Sequence, residues 1–111
     1  LGADTVFIKD GHRQVKLKLH EIVYLEGLKD YTRIVTPTQQ YTVLSSIGTL
    51  LQNSSFGSFL RIHRSYAVQR HFIDRIEPQQ IQVQQFTLPI GRSYRSTLDE
   101  LIARQQTSRF A

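Results

Sequence analysis

The sequence contains no cysteine and no methionine. Without cysteine, disulfides and cysteine-ligated zinc sites are excluded, and the chain carries no sign of an oxidising compartment. Because even an initiator methionine is absent, we expect the chain to be an excised piece of a longer protein whose upstream domain has been removed. Its 111 residues suit a single domain, with a core of about residues 5–103 and a tail at 104–111.

Long apolar runs and clustered glycines are also absent. No stretch approaches the roughly 20 apolar residues that span a bilayer, so we expect no membrane contact. The six glycines are isolated, which excludes a glycine-rich phosphate loop. None of the four histidines has metal-ligand spacing, so we predict no metal and no cofactor. Ser65, His63 and Asp74 could form a catalytic triad, but no nucleophile elbow accompanies them, and we predict that the chain is not an enzyme.

Positive charge is present and unevenly distributed. Residues 1–55 hold six bases and five acids, whereas residues 56–111 hold eight bases, all arginine, and four acids. A sequence pI near 9.9, with the positive charge concentrated in one half, is typical of a protein that binds a polyanion such as nucleic acid. The alternative is a basic domain without such a partner.

Cations are densest in residues 59–76, FLRIHRSYAVQRHFIDRI, where no acid precedes Asp74. Polar and basic residues lie there between apolar residues that resemble core anchors: Arg61, His63, Arg64, Ser65, Arg70 and His71. The rigid donor fork of arginine fits phosphate oxygens or the guanine edge better than a lysine ammonium does. This segment is therefore a candidate anion-binding surface.

Hydrophobic patterning predicts a mostly β fold with six to eight short strands and two helices. Short apolar or alternating runs such as 5–9, 14–19, 22–25 and 59–62 are typical of strands, and Asp10-Gly11 is typical of a hairpin turn. A short helix is predicted over 47–53, with Ser45 or Ser46 as its N-cap, and a second over 92–106. The polar residues after 62 are interpreted as a bend. The predicted core consists of Ile22, Leu25, Leu60, Ile62, Ile76 and Leu98.

Four segments in this order resemble the LytTR-type DNA-binding domain, the output domain of many bacterial response regulators. They are IVYLEGLKDYTRI (22–34), SIGTLLQ (46–52), FLRIHRSYAV (59–68) and LPIGRSY (88–94). Each segment is weak evidence alone, but their order and spacing together are specific. The resemblance covers about residues 5–103.

The resemblance implies an elongated, multi-stranded β fold in which loops between strands enter successive major grooves of double-stranded DNA. Residue by residue, it implies base-reading roles for Arg64, Arg92, Lys29, Tyr31 and Thr32. It implies phosphate contacts, which fix register without reading sequence, for Arg61, His63, Ser65, Arg70 and Arg95. It further implies a cytoplasmic bacterial two-component regulator of transcription that binds direct repeats, with a possible homodimer on DNA and an upstream receiver domain.

Several residues also have a structural interpretation. Tyr31 could be a core aromatic or a cross-strand packing partner, and His63 a buried histidine bonded to backbone. Glu26 is interpreted as a structural hydrogen-bond acceptor, and Arg33 and Arg75 as cations on solvated strand faces.

At the level of the domain, the alternative to a DNA-binding protein is a β-rich module that binds a protein or RNA through the same basic face. The glutamines of residues 79–85 favour this alternative, because exposed amides suit protein recognition.

Overall fold

The structure, a computed structural model, describes residues 4–106, which form ten strands and two α-helices. The strands are β1 (Thr5–Asp10), β2 (Arg13–Lys18), β3 (Tyr24–Leu28), β4 (Tyr31–Val35), β5 (Gln40–Val43), β6 (Phe59–His63), β7 (Tyr66–Gln69), β8 (Ile73–Ile76), β9 (Gln80–Val83) and β10 (Phe86–Pro89). The helices are α1 (Ile47–Gln52) and α2 (Arg95–Gln105). The mostly β class is confirmed, and with extents of 52 × 31 × 25 Å the molecule is elongated.

The N-terminal hairpin of β1 and β2 turns at Asp10 and Gly11, as predicted. Gly11 has a φ of 65°, a left-handed conformation that glycine adopts without a Cβ clash. Arg13 forms an ion pair with Asp10 across the turn at 2.8 Å. Ile8 and Leu17 are buried in the core beneath the hairpin, which therefore covers one face of the sheet that follows.

The central sheet has five antiparallel strands in the order β5-β4-β3-β7-β6. Consecutive hairpins join β3 to β4 and β4 to β5, and a further hairpin joins β6 to β7. The two groups meet where β3 pairs with β7, which sets Glu26 opposite Tyr66. The strand predicted over 22–25 begins two residues later, at Tyr24, because a 3-10 turn at Leu19–Glu21 precedes it and the N–H of Ile22 donates to the carbonyl of Leu19 at 3.2 Å.

Strand β7 was not predicted; its residues fell within the predicted bend. Ala67 and Val68 are fully buried, and the strand lies between β3 and β6 inside the sheet. Only two apolar residues separate the polar groups on either side, too short a run for a periodic pattern. The additional strand is one reason why the structure has ten strands rather than the predicted six to eight.

A separate three-stranded sheet, in the order β10-β9-β8, packs together with α2 on the other face of the central sheet. The helix predicted over 92–106 begins with a 3-10 turn at Arg92–Tyr94, and the α-helix starts at Arg95. Residues 107–111 of the predicted tail lie outside the described residues. Among residues 4–106, no helix combines the length and apolarity needed to cross a membrane.

The core is divided between the two faces of the central sheet. On the first face, Leu25 and Ile34 pack with the N-terminal hairpin and α1; on the second, Leu60 and Ile62 pack with the three-stranded sheet and with Leu98 of α2. The predicted core residues are buried with one exception. Ile76 is half-buried because β8 is an edge strand of its sheet.

Candidate nucleic-acid interface

Four turns lie at one end of the central sheet, and we call them the loop edge: residues 28–31, 44–46, 63–65 and 90–94. The strand register determines this grouping. Beyond the last β3–β7 pair, the N–H of Gly27 donates to the carbonyl of Ser65 at 2.8 Å, which sets the β3–β4 turn beside the β6–β7 turn. The segment after β5 joins them because the hydroxyl of Thr32 donates to the carbonyl of Ser45 at 2.7 Å.

Arg64 and Arg92 lie next to each other at the loop edge. Arg64 is at the tip of the β6–β7 turn, and Arg92 opens the 3-10 turn that follows β10; both line one shallow depression with His63 and Tyr94. The N–H of Gly91 donates to the carbonyl of Ile62 at 2.7 Å, which fixes the two turns together. Both arginines are exposed, and among residues 4–106 neither guanidinium makes a hydrogen bond or an ion pair.

The predicted loop of Lys29, Tyr31 and Thr32 is the tight turn between β3 and β4. Lys29 is exposed at the tip with a φ of 67°, and 47% of the surface of Tyr31 is exposed. The exposure of Tyr31 does not fit a core aromatic. Thr32 is fully buried, and its hydroxyl is bound to the carbonyl of Ser45. Two of these three side chains are therefore accessible to a ligand, whereas Thr32 fastens the turn.

Two of the predicted phosphate-binding side chains are held inside the β6–β7 turn. Arg61 donates from Nε to the carbonyl of His63 at 2.9 Å and from Nη2 to the carbonyl of Arg64. His63 is half-buried, and its Nδ1 accepts the backbone N–H of Ser65 at 3.0 Å. The interpretation of His63 as a histidine bonded to backbone agrees with this contact.

The remaining two predicted phosphate-binding arginines have different environments. Arg95 donates to the carbonyls of Glu77 and Pro78, each at 3.0 Å, and forms an ion pair with Asp99 at 3.1 Å. Arg70 is exposed but lies at the other end of β7 from the loop edge. At about 3.3 Å per strand residue, roughly 13 Å separate Tyr66 from Arg70. The Arg95 side chain is therefore bound within the fold. Arg70 lies at the opposite end of the sheet from the arginines of the loop edge.

Glu26 is a structural acceptor, as interpreted from the sequence. Its carboxylate accepts Nη1 of Arg33 at 2.6 Å and the hydroxyl of Tyr66 at 3.3 Å, which links three neighbouring strands. Burial, and then the Glu26 charge, raise the pKa of Tyr66 and of Tyr24 above the ordinary tyrosine value. Arg33 is thus a half-buried ion-pair partner rather than a cation on a solvated face.

Arg75 agrees better with its interpretation as a cation on a solvated strand face, because its side chain is exposed. It forms an ion pair with Glu77 at 3.1 Å and donates to the amide oxygen of Gln82 at 2.8 Å. The glutamine strand beside it is less available than its sequence indicates. The amides of Gln80, Gln82 and Gln85 all donate to acceptors within the chain. These three amides are thus already hydrogen-bonded within the chain, while Gln79, Gln80 and Gln85 remain exposed.

The possible catalytic triad is not assembled within residues 4–106. His63 Nδ1 meets the backbone N–H of Ser65 rather than its hydroxyl, and Asp74 accepts the N–H of Gln84 at 3.2 Å on the three-stranded sheet. The same part of the chain contains no group of three acidic or histidine side chains arranged to hold a metal ion.

Sequence reasoning missed three features, two of them near the loop edge and one at the opposite end of β7. The guanidinium carbon of Arg61 lies 5.7 Å from the centroid of the Tyr94 ring, a cation–π contact. The buried amide of Gln69 donates to the carbonyl of Leu19 at 3.0 Å and ties β7 to the segment before β3. The exposed side chains of Phe7 and Leu44 line, with Tyr31, a cleft of about 640 Å³. All three depend on contacts between distant segments, which one-dimensional patterns do not encode.

These observations define a mostly β protein with a basic edge of turns. Residues 12–103 match the model of the LytTr DNA-binding domain family. The chain belongs to this family, the LytTR DNA-binding domains, and is therefore a DNA-binding domain.

Among solved structures, the chain is similar to the LytTr DNA-binding domain of a protein described as a methyl-accepting/DNA response regulator from Bacillus cereus. The TM-score is 0.77 at 22% sequence identity, and the match covers 89% of this chain and 96% of that chain. At this identity the similarity shows the shared fold. None of the curated proteins compared with the chain matches it significantly.

Proposed function

We propose that this domain binds duplex DNA sequence-specifically as the transcriptional output domain of a bacterial response regulator, with its loop edge in the major groove. The observation that carries the proposal is the pair Arg64 and Arg92. Both are exposed, adjacent and, within residues 4–106, without an intramolecular partner. A guanidinium can donate to O6 and N7 of guanine together, which is the commonest specific protein–DNA contact.

The remaining accessible groups of the loop edge have complementary roles. Lys29 approaches a phosphate or a guanine from the β3–β4 turn, and Tyr31 offers an apolar face to a thymine methyl group. Thr32 supports their turn from beneath. Ser65 and Arg70 are the phosphate contacts that remain consistent with the structure, and Arg70 contacts the backbone at the flank of the site.

Membership of the family supports a proposed setting for the domain. The domain acts in the cytoplasm and follows an upstream receiver domain in the full-length protein. Two copies bind direct repeats, with or without contact between them. Binding to two repeats doubles the number of base contacts without enlarging the domain.

The test is selection of the domain against a randomised duplex library, followed by titration of the selected and a scrambled duplex at several salt concentrations. We expect an enriched sequence that contains guanines at fixed positions. If about five phosphates are neutralised, the slope of log affinity against log salt is near −4 to −5. No enrichment together with a slope near zero contradicts the proposal. Enrichment of single-stranded RNA in a parallel selection supports the alternative module instead.

A further inference from the structure

The β6–β7 turn, which carries Arg64, is braced from inside by two side chains of its own strand. Arg61 bridges the carbonyls of His63 and Arg64 through Nε and Nη2. His63 accepts the N–H of Ser65 on Nδ1 at 3.0 Å. Three consecutive backbone groups at the tip, two acceptors and one donor, are thus bound by side chains.

The two ends of this turn are fixed from outside. The carbonyl of Ile62 accepts the N–H of Gly91, and the carbonyl of Ser65 accepts the N–H of Gly27. A Cβ at Gly91 would lie 3.3 Å from Cα of His63 and 3.1 Å from the Tyr94 ring, so only glycine allows this approach without displacement. With both ends fixed, the tip between them depends on Arg61 and His63 for its conformation.

Arg61 is poorly suited to bind phosphate in this arrangement. Arg61 is half-buried as a residue, two of its guanidinium nitrogens donate to carbonyls, and the guanidinium lies over the Tyr94 ring. Because two of its five N–H donors are already bound to carbonyls, a phosphate could use only the three that remain on Nη1 and Nη2. The exposed guanidinium of Arg64, three residues later, has no such commitments within the described residues.

We propose that Arg61 and His63 are positioning residues, which hold the β6–β7 turn in the conformation that aims Arg64 at a base edge. The inference rests on the proposed function of the loop edge. A preorganised turn lowers the entropy lost when the long Arg64 side chain is fixed on guanine, and a misplaced one loses the bidentate geometry. Arg61 and His63 therefore act on discrimination between sequences and only weakly on affinity for DNA in general.

The first experiment compares Arg61→Lys with Arg61→Ala in binding to the selected and the scrambled duplex. Lysine keeps the charge but lacks the planar fork that spans two carbonyls. We expect Arg61→Lys to reduce the ratio of the two affinities about tenfold, within the range of a lost bidentate contact, and to leave the salt slope unchanged. A phosphate contact gives the opposite result: the ratio is preserved in both variants, and in Arg61→Ala the slope falls by about 0.9.

The second experiment uses a rescue at position 63. Asparagine accepts the N–H two residues ahead of it in an Asx-turn, so His63→Asn can replace the bond that His63→Ala loses. In the DNA-free protein, exchange of the Ser65 amide hydrogen should accelerate in His63→Ala and return towards the parent rate in His63→Asn. The discrimination ratio should follow the same order. Equal exchange rates in the parent and His63→Ala, or equal ratios in the alanine and asparagine variants, overturn the assignment.

These readouts separate the inference from the function on which it rests. If the parent domain does not prefer any duplex, the proposed function is wrong and the positioning role is wrong with it. If the parent discriminates and Arg61→Lys discriminates equally well, only the positioning role is wrong.

Discussion

The two ends of the central sheet are built from the same strands but differ in the state of their polar groups. At the loop edge, Lys29, Arg64 and Arg92 are exposed and, within residues 4–106, make no hydrogen bond or ion pair through their side chains. At the opposite end, which we call the far edge and which comprises residues 4, 19–21, 36–39 and 70–72, several polar groups are hydrogen-bonded within the chain. Nε2 of His71 lies 3.0 Å from the carbonyl of His20, and the Leu19 N–H donates to the Asp4 carbonyl at 2.9 Å.

The loop edge also carries more positive charge than the far edge. The loop edge has three cations with Asp30 as the acid in its turns, whereas the far edge has Arg70 together with Asp4 and Glu21. The comparison teaches that a count of cations along the chain does not locate a DNA-binding surface. Arg64, Arg92 and Arg70 are exposed and make no side-chain hydrogen bond or ion pair within residues 4–106, whereas Arg61 and Arg95 are bound inside the fold, so the tertiary structure determines which donors remain free.

The largest expected effect concerns the packing that holds both edges in place. Leu60→Ala should lower the free energy of unfolding by about 2 to 5 kcal/mol, because Leu60 is buried between the two sheets and its loss leaves a cavity. Chemical denaturation measures the change. Leu44→Ala is the matched control, since 72% of Leu44 is exposed and the same truncation should cost no more than about 0.5 kcal/mol. Equal stability of the two variants would mean that the β6 register is wrong.

The second prediction concerns the free arginines of the loop edge. Arg64→Ala or Arg92→Ala should weaken binding to the selected duplex by about 1 to 3 kcal/mol and change binding to a scrambled duplex little, because a bidentate contact is lost only where guanine is present. Competition titration measures both affinities. Arg104→Ala, which removes one charge near the C-terminal end of α2, is the control. If both affinities fall equally, these arginines are phosphate anchors, and specificity comes from the β3–β4 turn or from DNA shape.

A smaller effect is expected at the far edge. Arg70→Ala should weaken binding to selected and scrambled duplexes by similar factors and reduce the salt slope by about 0.9, the value for one phosphate contact. The same titrations provide the measurement. An unchanged slope would show that DNA does not reach the far edge, and a selective loss on the preferred duplex would contradict the division between the two edges.

The smallest expected change lies in the ionic network behind the loop edge. Glu26→Gln should lower the pKa of Tyr66 and Tyr24 by removing a negative charge, although burial still holds each pKa above the ordinary value. Because the folded pKa values are raised, the tyrosines stabilise the fold fully below about pH 10, and this contribution is lost as the pH rises through the folded values. Ring-labelled tyrosine NMR titration measures the shift, with Glu77→Gln as control. Identical titration curves in Glu26→Gln and the parent would exclude the coupling.

Local signals in the sequence were sufficient for much of this architecture. The hairpin at Asp10-Gly11 and the N-cap of α1 follow from turn and capping chemistry, and Ser46 does accept the Thr49 N–H at 3.2 Å. Residues whose apolar side chains repeat along a strand, such as Leu60 and Ile62, are buried as expected. These features are predictable because their causes lie within a few residues.

Features that depend on distant contacts were predicted less well. Strand β7 is stabilised by neighbours on both sides of it in the sheet, which its own four residues do not indicate. The role of Arg61 depends on an irregular register between Arg61 and His63 in the β6–β7 pair, where the chain turns its carbonyls towards the guanidinium. An arginine pattern identifies candidate contacts, but the partners of each arginine are determined by the tertiary fold.

The β3–β7 pairing has a consequence for how the loop edge forms. Glu26 and Tyr66, which face each other in this pair, are 40 residues apart in the chain. Closing a loop of that length costs about 3 kcal/mol of chain entropy beyond a constant, so the pairing forms only when burial on both sheet faces offsets the loss. Lys29 lies in the β3–β4 hairpin and Arg64 in the β6–β7 hairpin, and the β3–β7 pairing joins the two. The loop edge therefore forms only when the two hairpins pair, and a fragment that stops before β6 lacks the part of it that carries Arg64 and Arg92.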